Sequence, residues 1–139
     1  MHEVSFEEAL AKIAVRDLRY QPEAYLFVRE ALDHTQKVVA KDARGRIRHV
    51  TGQELLAGIR DFALQQFGPM TKLVLEEWGV RCCSDFGEIV FNMIEVKWLA
   101  KTDKDTRADF QDGYDFDEAF RKPFLPKGKQ TAQAPEAKP

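Results

Sequence analysis

The residues best suited to chemistry are five cations and a histidine within thirteen positions. Lys37, Lys41, Arg44, Arg46 and Arg48 are opposed only by Asp42, and His49 follows them. Cations at this density suit contact with phosphates, where each neutralised charge releases counterions and gains affinity. They equally suit a solvated turn, or an acidic protein surface; one such surface lies in the chain's own Asp-rich segment. Other groups offer less. Asp33 next to His34 suggests an oriented imidazole acting as general base. However, neighbours on a helix point about 100° apart and do not face each other, so His34 fits a helix end, where a cation favours the dipole. Cys82 and Cys83 follow Arg81. A thiol beside a cation and a helix start can be reactive, whereas two small half-buried loop residues need no chemistry at all. Adjacent cysteines rarely bond each other, and they lack C-x-x-C metal spacing.

The segment from Asp103 to Glu118 contains seven acidic and two basic residues. Asp112-Gly-Tyr-Asp-Phe-Asp-Glu resembles a hard-cation loop at first sight. It fails the order of an EF-hand, which needs ligands at alternating positions, Gly at the sixth and Glu at the twelfth. Phe110, Tyr114, Phe116, Phe120 and Phe124 recur through and just beyond it. A solvated acidic tail needs no five aromatics, so the expectation is a strap packed across the domain, with a helical turn near 115–121. No Gly-rich phosphate loop, nucleophile elbow or H-E-x-x-H pair is present, so no cofactor is expected.

The elements that position these groups follow from caps and periodicity. Ser5 with Glu8 and Thr51 with Glu54 have capping-box spacing. Phe6, Leu10 and Ile13 share one face of a first helix ending near Asp17. Pro22 opens a second helix, with Ala24, Val28, Ala31 and Thr35 in one stripe, running to about Lys37. Val38 and Val39, the turn chemistry of Lys41 to Gly45, and the alternation from Arg46 to Val50 predict a short hairpin or extended arm at 38–50. A third helix uses Leu55, Ile59, Phe62 and Phe67, and stops at Gly68-Pro69. A short fourth helix spans Met70 to Trp78, using Leu73, Val74 and Trp78. Ser84 or Asp85 caps a fifth, whose buried stripe is Phe86, Ile89, Val90, Met93 and Val96. Three helices with tight stops loosely suit a DNA-reading unit, yet the last carries Asp85, Glu88 and Glu95 against Lys97, a poor match for phosphates.

The chain has 139 residues, 44% of them apolar and 32% charged, with a net charge of -2. This is ordinary globular composition for one domain. The expected architecture is all-α or nearly so: about five helices in one compact domain over 3–125, with an aromatic C-terminal strap. Residues 126–139, rich in Pro, Lys, Ala and Gln, are expected to be disordered. The N-terminus lacks the charge and apolar pattern of a secretory signal, and no run approaches a membrane span. With unpaired cysteines, these features predict a cytoplasmic protein.

Several strings carry a resemblance: AYLFVREALDHTQ from Ala24, GQELL from Gly52, FGPM from Phe67, DFGEIVFNM from Asp85 and GYDF from Gly113. Over about residues 3–125 the chain resembles an uncharacterised family of conserved hypothetical proteins of planctomycete and verrucomicrobial bacteria. The resemblance implies a bacterial cytoplasmic protein and transfers no site. The functional expectation is a non-enzymatic interaction or regulatory module binding another macromolecule, chiefly protein. Its contact residues would be Lys37, Lys41, Arg44, Arg46, Arg48 and His49. Nucleic-acid binding through the same 37–48 arm is the alternative, and a small enzyme with a site near His34, using Asp33 and the Cys82–Cys83 pair, is a third.

Overall fold

Ser5 accepts the Glu8 N–H at 3.1 Å and Glu8 Oε1 accepts the Ser5 N–H at 3.0 Å, so the first helix starts where the capping box places it. This computed structural model describes residues 5–42, 50–99, 106–111 and 113–126. Among these residues, five α-helices carry the fold: α1 (Phe6–Arg16), α2 (Pro22–Asp42), α3 (Gly52–Phe67), α4 (Thr71–Glu77) and α5 (Cys83–Glu95). Three short 3-10 turns, Gly68–Met70, Arg107–Phe110 and Lys122–Phe124, and a π-helical turn, Asp117–Arg121, complete it. No strand occurs among the described residues.

The second helix corrects the expected hairpin. α2 continues to Asp42, and Val38, Val39 and Lys41 are helical. The reason is packing: Ala24, Val28, Ala31, Thr35 and Val39 are all buried, at spacings of four, three, four and four, so Val39 extends the core stripe by one more turn. Tertiary burial outweighs the modest helix penalty of β-branching. The rest of the expected arm, with Arg44, Arg46, Arg48 and His49, lies outside the described residues, as does the tail beyond Pro126.

α2 and α3 touch most intimately at Gly58. A Cβ there would lie 1.7 Å from Thr35 Oγ1, so only glycine allows this crossing. The buried Thr35 hydroxyl is satisfied by donating to Ala31 O at 2.7 Å. α3 begins with its own capping box at Thr51 and Glu54 and ends at Gly68, whose φ of +53° favours glycine. In α4 the inward residues are Thr71 and Leu75; Leu73, expected in the core, is 53% exposed. Thr71 is fixed by donating to Gly68 O at 2.6 Å, which rotates α4 so that Leu75 faces inward.

α5 also starts earlier than expected. Its N-cap is Cys82 and its first residue Cys83. Asp85 works as the third residue of the helix, and its Oδ2 reaches back to the N–H groups of Arg81 (2.8 Å) and Cys82 (3.3 Å). The carboxylate thus satisfies donors upstream of itself. Phe86, Ile89, Val90 and Met93 are buried and put α5 at the centre of the core.

The C-terminal segment packs as a strap with helical turns. Phe110 lies across Gly87 of α5 and Gly52 of α3. Phe116 and Phe120 are buried, with ring centroids 5.0 Å apart. Tyr114 donates its hydroxyl to Leu56 O at 2.8 Å. Phe124 is the exception and stays about half exposed.

Candidate functional site

The structure places Lys37 and Lys41 of the basic group on α2 and separates Asp33, His34 and the cysteine pair. Lys37 and Lys41 project from the last turns of α2 and are exposed. Lys37 Nζ lies 3.2 Å from Asp33 Oδ2, an i,i+4 surface pair of small energetic weight. Asp33 therefore faces Lys37 rather than His34. The His34 ring packs on Phe62 with centroids 5.4 Å apart, in a shallow groove shared with Arg29 and Glu30. Cys82 and Cys83 lie at the head of α5, on other elements altogether. The exposed Cys82 thiol donates to Asp85 Oδ2 at 3.6 Å. The Cys83 sulfur is buried between the N–H and C=O of Tyr114, at 3.4 and 3.3 Å. Burial pushes the Cys83 thiol pKa up, so this sulfur stays a packed thiol. The His–Asp–Cys grouping does not assemble.

The acidic segment is occupied with structure. Asp115 Oδ2 accepts the Glu118 N–H at 3.2 Å, and Asp117 lies 3.6 Å from Lys72 of α4 and 3.4 Å from Arg121. Lys122 pairs with Glu118 at 2.5 Å. The strap's described acids meet α3, α4 and their own neighbours. Among the described residues no three His, Cys, Asp or Glu side chains converge as metal ligands.

Three features went unseen in the sequence. One is a polar network where α1 turns into α2. The Asp17 side chain, 11% exposed, accepts bonds from Arg19 Nη2 (2.7 Å), Arg19 Nε (2.9 Å) and Asn92 Nδ2 (2.9 Å). The Arg19 guanidinium, foremost, holds the Asp17 carboxyl far below its usual pKa against the opposing pull of burial. Arg19 also reaches Glu88, which Arg107 holds from the other side at 3.0 Å. Tyr20 donates its hydroxyl to Asp85 Oδ1 at 2.5 Å. Each group is held by another, which describes a joint rather than a reacting centre.

The second feature is the outer face of α1. Phe6, Ala9 and Ile13 face the core, whereas Ala11, Ala14, Val15 and Leu18 are exposed. Val15 is 87% exposed and Leu18 86%. Lys12, Arg16 and Lys97 border Val15 in a shallow depression that also includes Glu95, and Arg16 pairs with Glu95 at 2.8 Å. The signal was in the sequence: apolar residues at 11, 14 and 15 fall on the side of the helix away from 6, 9 and 13, and Leu18 follows just past the helix end. The third feature is a cavity of about 230 Å³ between α2, α3, α5 and the Arg107–Phe110 turn.

Comparisons with protein-family models, with curated proteins and with solved structures give no match. The functional reading therefore rests on this geometry.

Proposed function

We propose that the protein is a non-enzymatic interaction module that binds another protein through the outer face of α1. The observation that carries this is the near-complete exposure of Val15 on α1 and of Leu18 just past its end, with Ala11 and Ala14 of the same helix also exposed. Single surface aliphatics are ordinary, whereas apolar side chains gathered on one side of the molecule suit an interface. The small alanines let a partner backbone approach, and the flanking Lys12, Arg16 and Lys97 favour an acidic neighbour. The fitting partner is an amphipathic helix with acidic flanks laid along α1. The proposal includes a bacterial cytoplasmic setting, supported by the family resemblance of the sequence and by two free, adjacent cysteines.

A photo-crosslinking side chain placed at position 15, in cells, tests this. A discrete adduct with one protein is expected, lost on Leu18→Asp and absent when the crosslinker sits at exposed Gln65 of α3. No adduct, or the same adducts from position 65, would overturn it. Salt-sensitive DNA or RNA binding, abolished by reversing Arg44, Arg46 and Arg48, would move the function to the basic segment instead.

A further inference from the structure

We infer that the protein binds a small, neutral, largely apolar molecule in the cavity between α2, α3, α5 and the Arg107–Phe110 turn, independently of any partner on α1. The walls are Leu32 from α2, Leu55 from α3, Val90 and Ile94 from α5, Leu99, and Phe110. Leu55, Val90 and Phe110 are buried, while Leu32, Ile94 and Leu99 are only partly covered. The last three therefore present apolar surface to a space that no protein side chain among the described residues fills.

The space follows from how its walls are held. Glycines at 58 and 87 bring α3 against Thr35 and α5 against Phe110. These two close contacts fix α2, α3, α5 and the 3-10 turn, and the cavity is the gap left between them. Protein interiors normally leave few voids larger than one water. This one is partly open to solvent, and at about 230 Å³ it exceeds the roughly 150 Å³ of an enclosed apolar cavity that takes up benzene. Its size suits one aromatic ring with a short substituent, or a short branched chain.

The chemistry of the lining selects the ligand further. A charge held against Leu55, Val90, Ile94 and Phe110 would be desolvated without a partner, which is costly. Among the described residues, polar side chains stand at Gln36, Thr51 and Asp109. The Thr51 hydroxyl accepts the Glu54 N–H as part of the α3 cap. Asp109 accepts the Thr106 N–H at 3.2 Å and the Gln53 amide at 3.4 Å, and a carboxylate has lone pairs for one donor more. A ligand with an apolar body and one neutral O–H or N–H donor satisfies both the walls and this polar side. A phenol or an indole is the simplest such molecule.

The test uses the full chain with methyl labels, titrated with p-cresol and with toluene, and followed by NMR. Saturable shifts are expected at the methyls of Leu32, Leu55, Val90, Ile94 and Leu99, with none at Val15 or Leu18. The phenol should bind at least threefold more tightly than toluene, through its added donor. Ile94→Trp fills the space from α5 and Leu32→Phe from α2. Each should weaken p-cresol binding at least tenfold with the melting temperature unchanged or raised, and the second keeps the test intact if the first misfolds. Absent shifts would mean that the space is already filled, and would overturn the proposal. Equal shifts at Val15 and Leu18, or undiminished binding in a folded filled variant, would overturn it too.

Discussion

A methyl group added at position 58 would sit 1.7 Å from Thr35 Oγ1 and 2.8 Å from Thr35 Cβ. Neither atom can retreat, because the hydroxyl is bonded to Ala31 O and Thr35 is buried in α2. Gly58→Ala should therefore cost more than alanine's helix propensity returns, about 2–3 kcal/mol as overpacking. Thr35→Ala should recover part of it, since Cβ remains in the way; chemical denaturation of the two single variants and the double gives the coupling directly. Asp17 makes a different demand. Its folded carboxyl is held below its unfolded pKa by Arg19 and Asn92. The stabilisation is then fully present above the unfolded value of about 3.9 and is lost as pH falls through and below it. Asp17→Asn should cost about 2 kcal/mol at neutral pH, a figure kept modest because the Arg19 side chain is 57% exposed. The gap between variant and wild type should narrow below about pH 4. Urea titrations at neutral pH and near pH 3 read this as converging midpoints; a constant gap would mean that the carboxylate's charge is not what holds the joint.

At the scale of elements, the caps were the most legible part of the sequence. Ser5 with Glu8 and Thr51 with Glu54 open helices as their spacing predicts, because a cap depends only on residues within one turn. Thr51→Ala should lower stability by about 1 kcal/mol and Thr51→Ser by much less, seen as a shifted denaturation midpoint at constant slope. What depended on distant partners was read poorly. Val38 and Val39 looked like a strand because β-branching is a local signal, while the reason they are helical lies in the core that receives Val39. Leu73 looked buried and Leu75 did not figure, because the rotation of α4 is set by the Thr71 bonds to Gly68 and Ala63. Asp85 looked like a cap and acts one turn further in, since its carboxylate reaches backwards. The candidate site fared likewise. Lys37 and Lys41 are surface residues as expected, but the α1 face needed knowledge of which side of α1 the core takes. The cavity depends on three helices meeting and had no local signature.

Across the whole molecule, a net charge of -2 conceals a basic segment of about +4 at 37–48 and an acidic one of about -5 at 103–118. Their described residues do not neutralise each other: Lys37 faces Asp33, and Asp117 faces Lys72 and Arg121. What ties the acidic segment to the helices is instead its aromatic content. Phe110, Phe116 and Phe120 belong to the same buried cluster as Phe6 of α1, Val28 of α2, Ile59 of α3, Leu75 of α4 and Phe86 of α5. Burying three Phe side chains is worth of order 5–9 kcal/mol, against a total stability of about 5–15 kcal/mol for a domain. A chain ending at residue 105 should therefore lose its cooperative fold although every α-helix is still encoded. The expected signs are a flattened near-ultraviolet circular dichroism spectrum, dye binding to exposed apolar surface and no sharp thermal transition. Phe120→Ala in the full chain should lower stability by about 3–5 kcal/mol, and Phe124→Ala, at a ring only about half covered, by no more than about 1.5 kcal/mol. A cooperative melt from the 105-residue chain would show that the helices close their own core, and that the strap is laid on a finished domain rather than built into it.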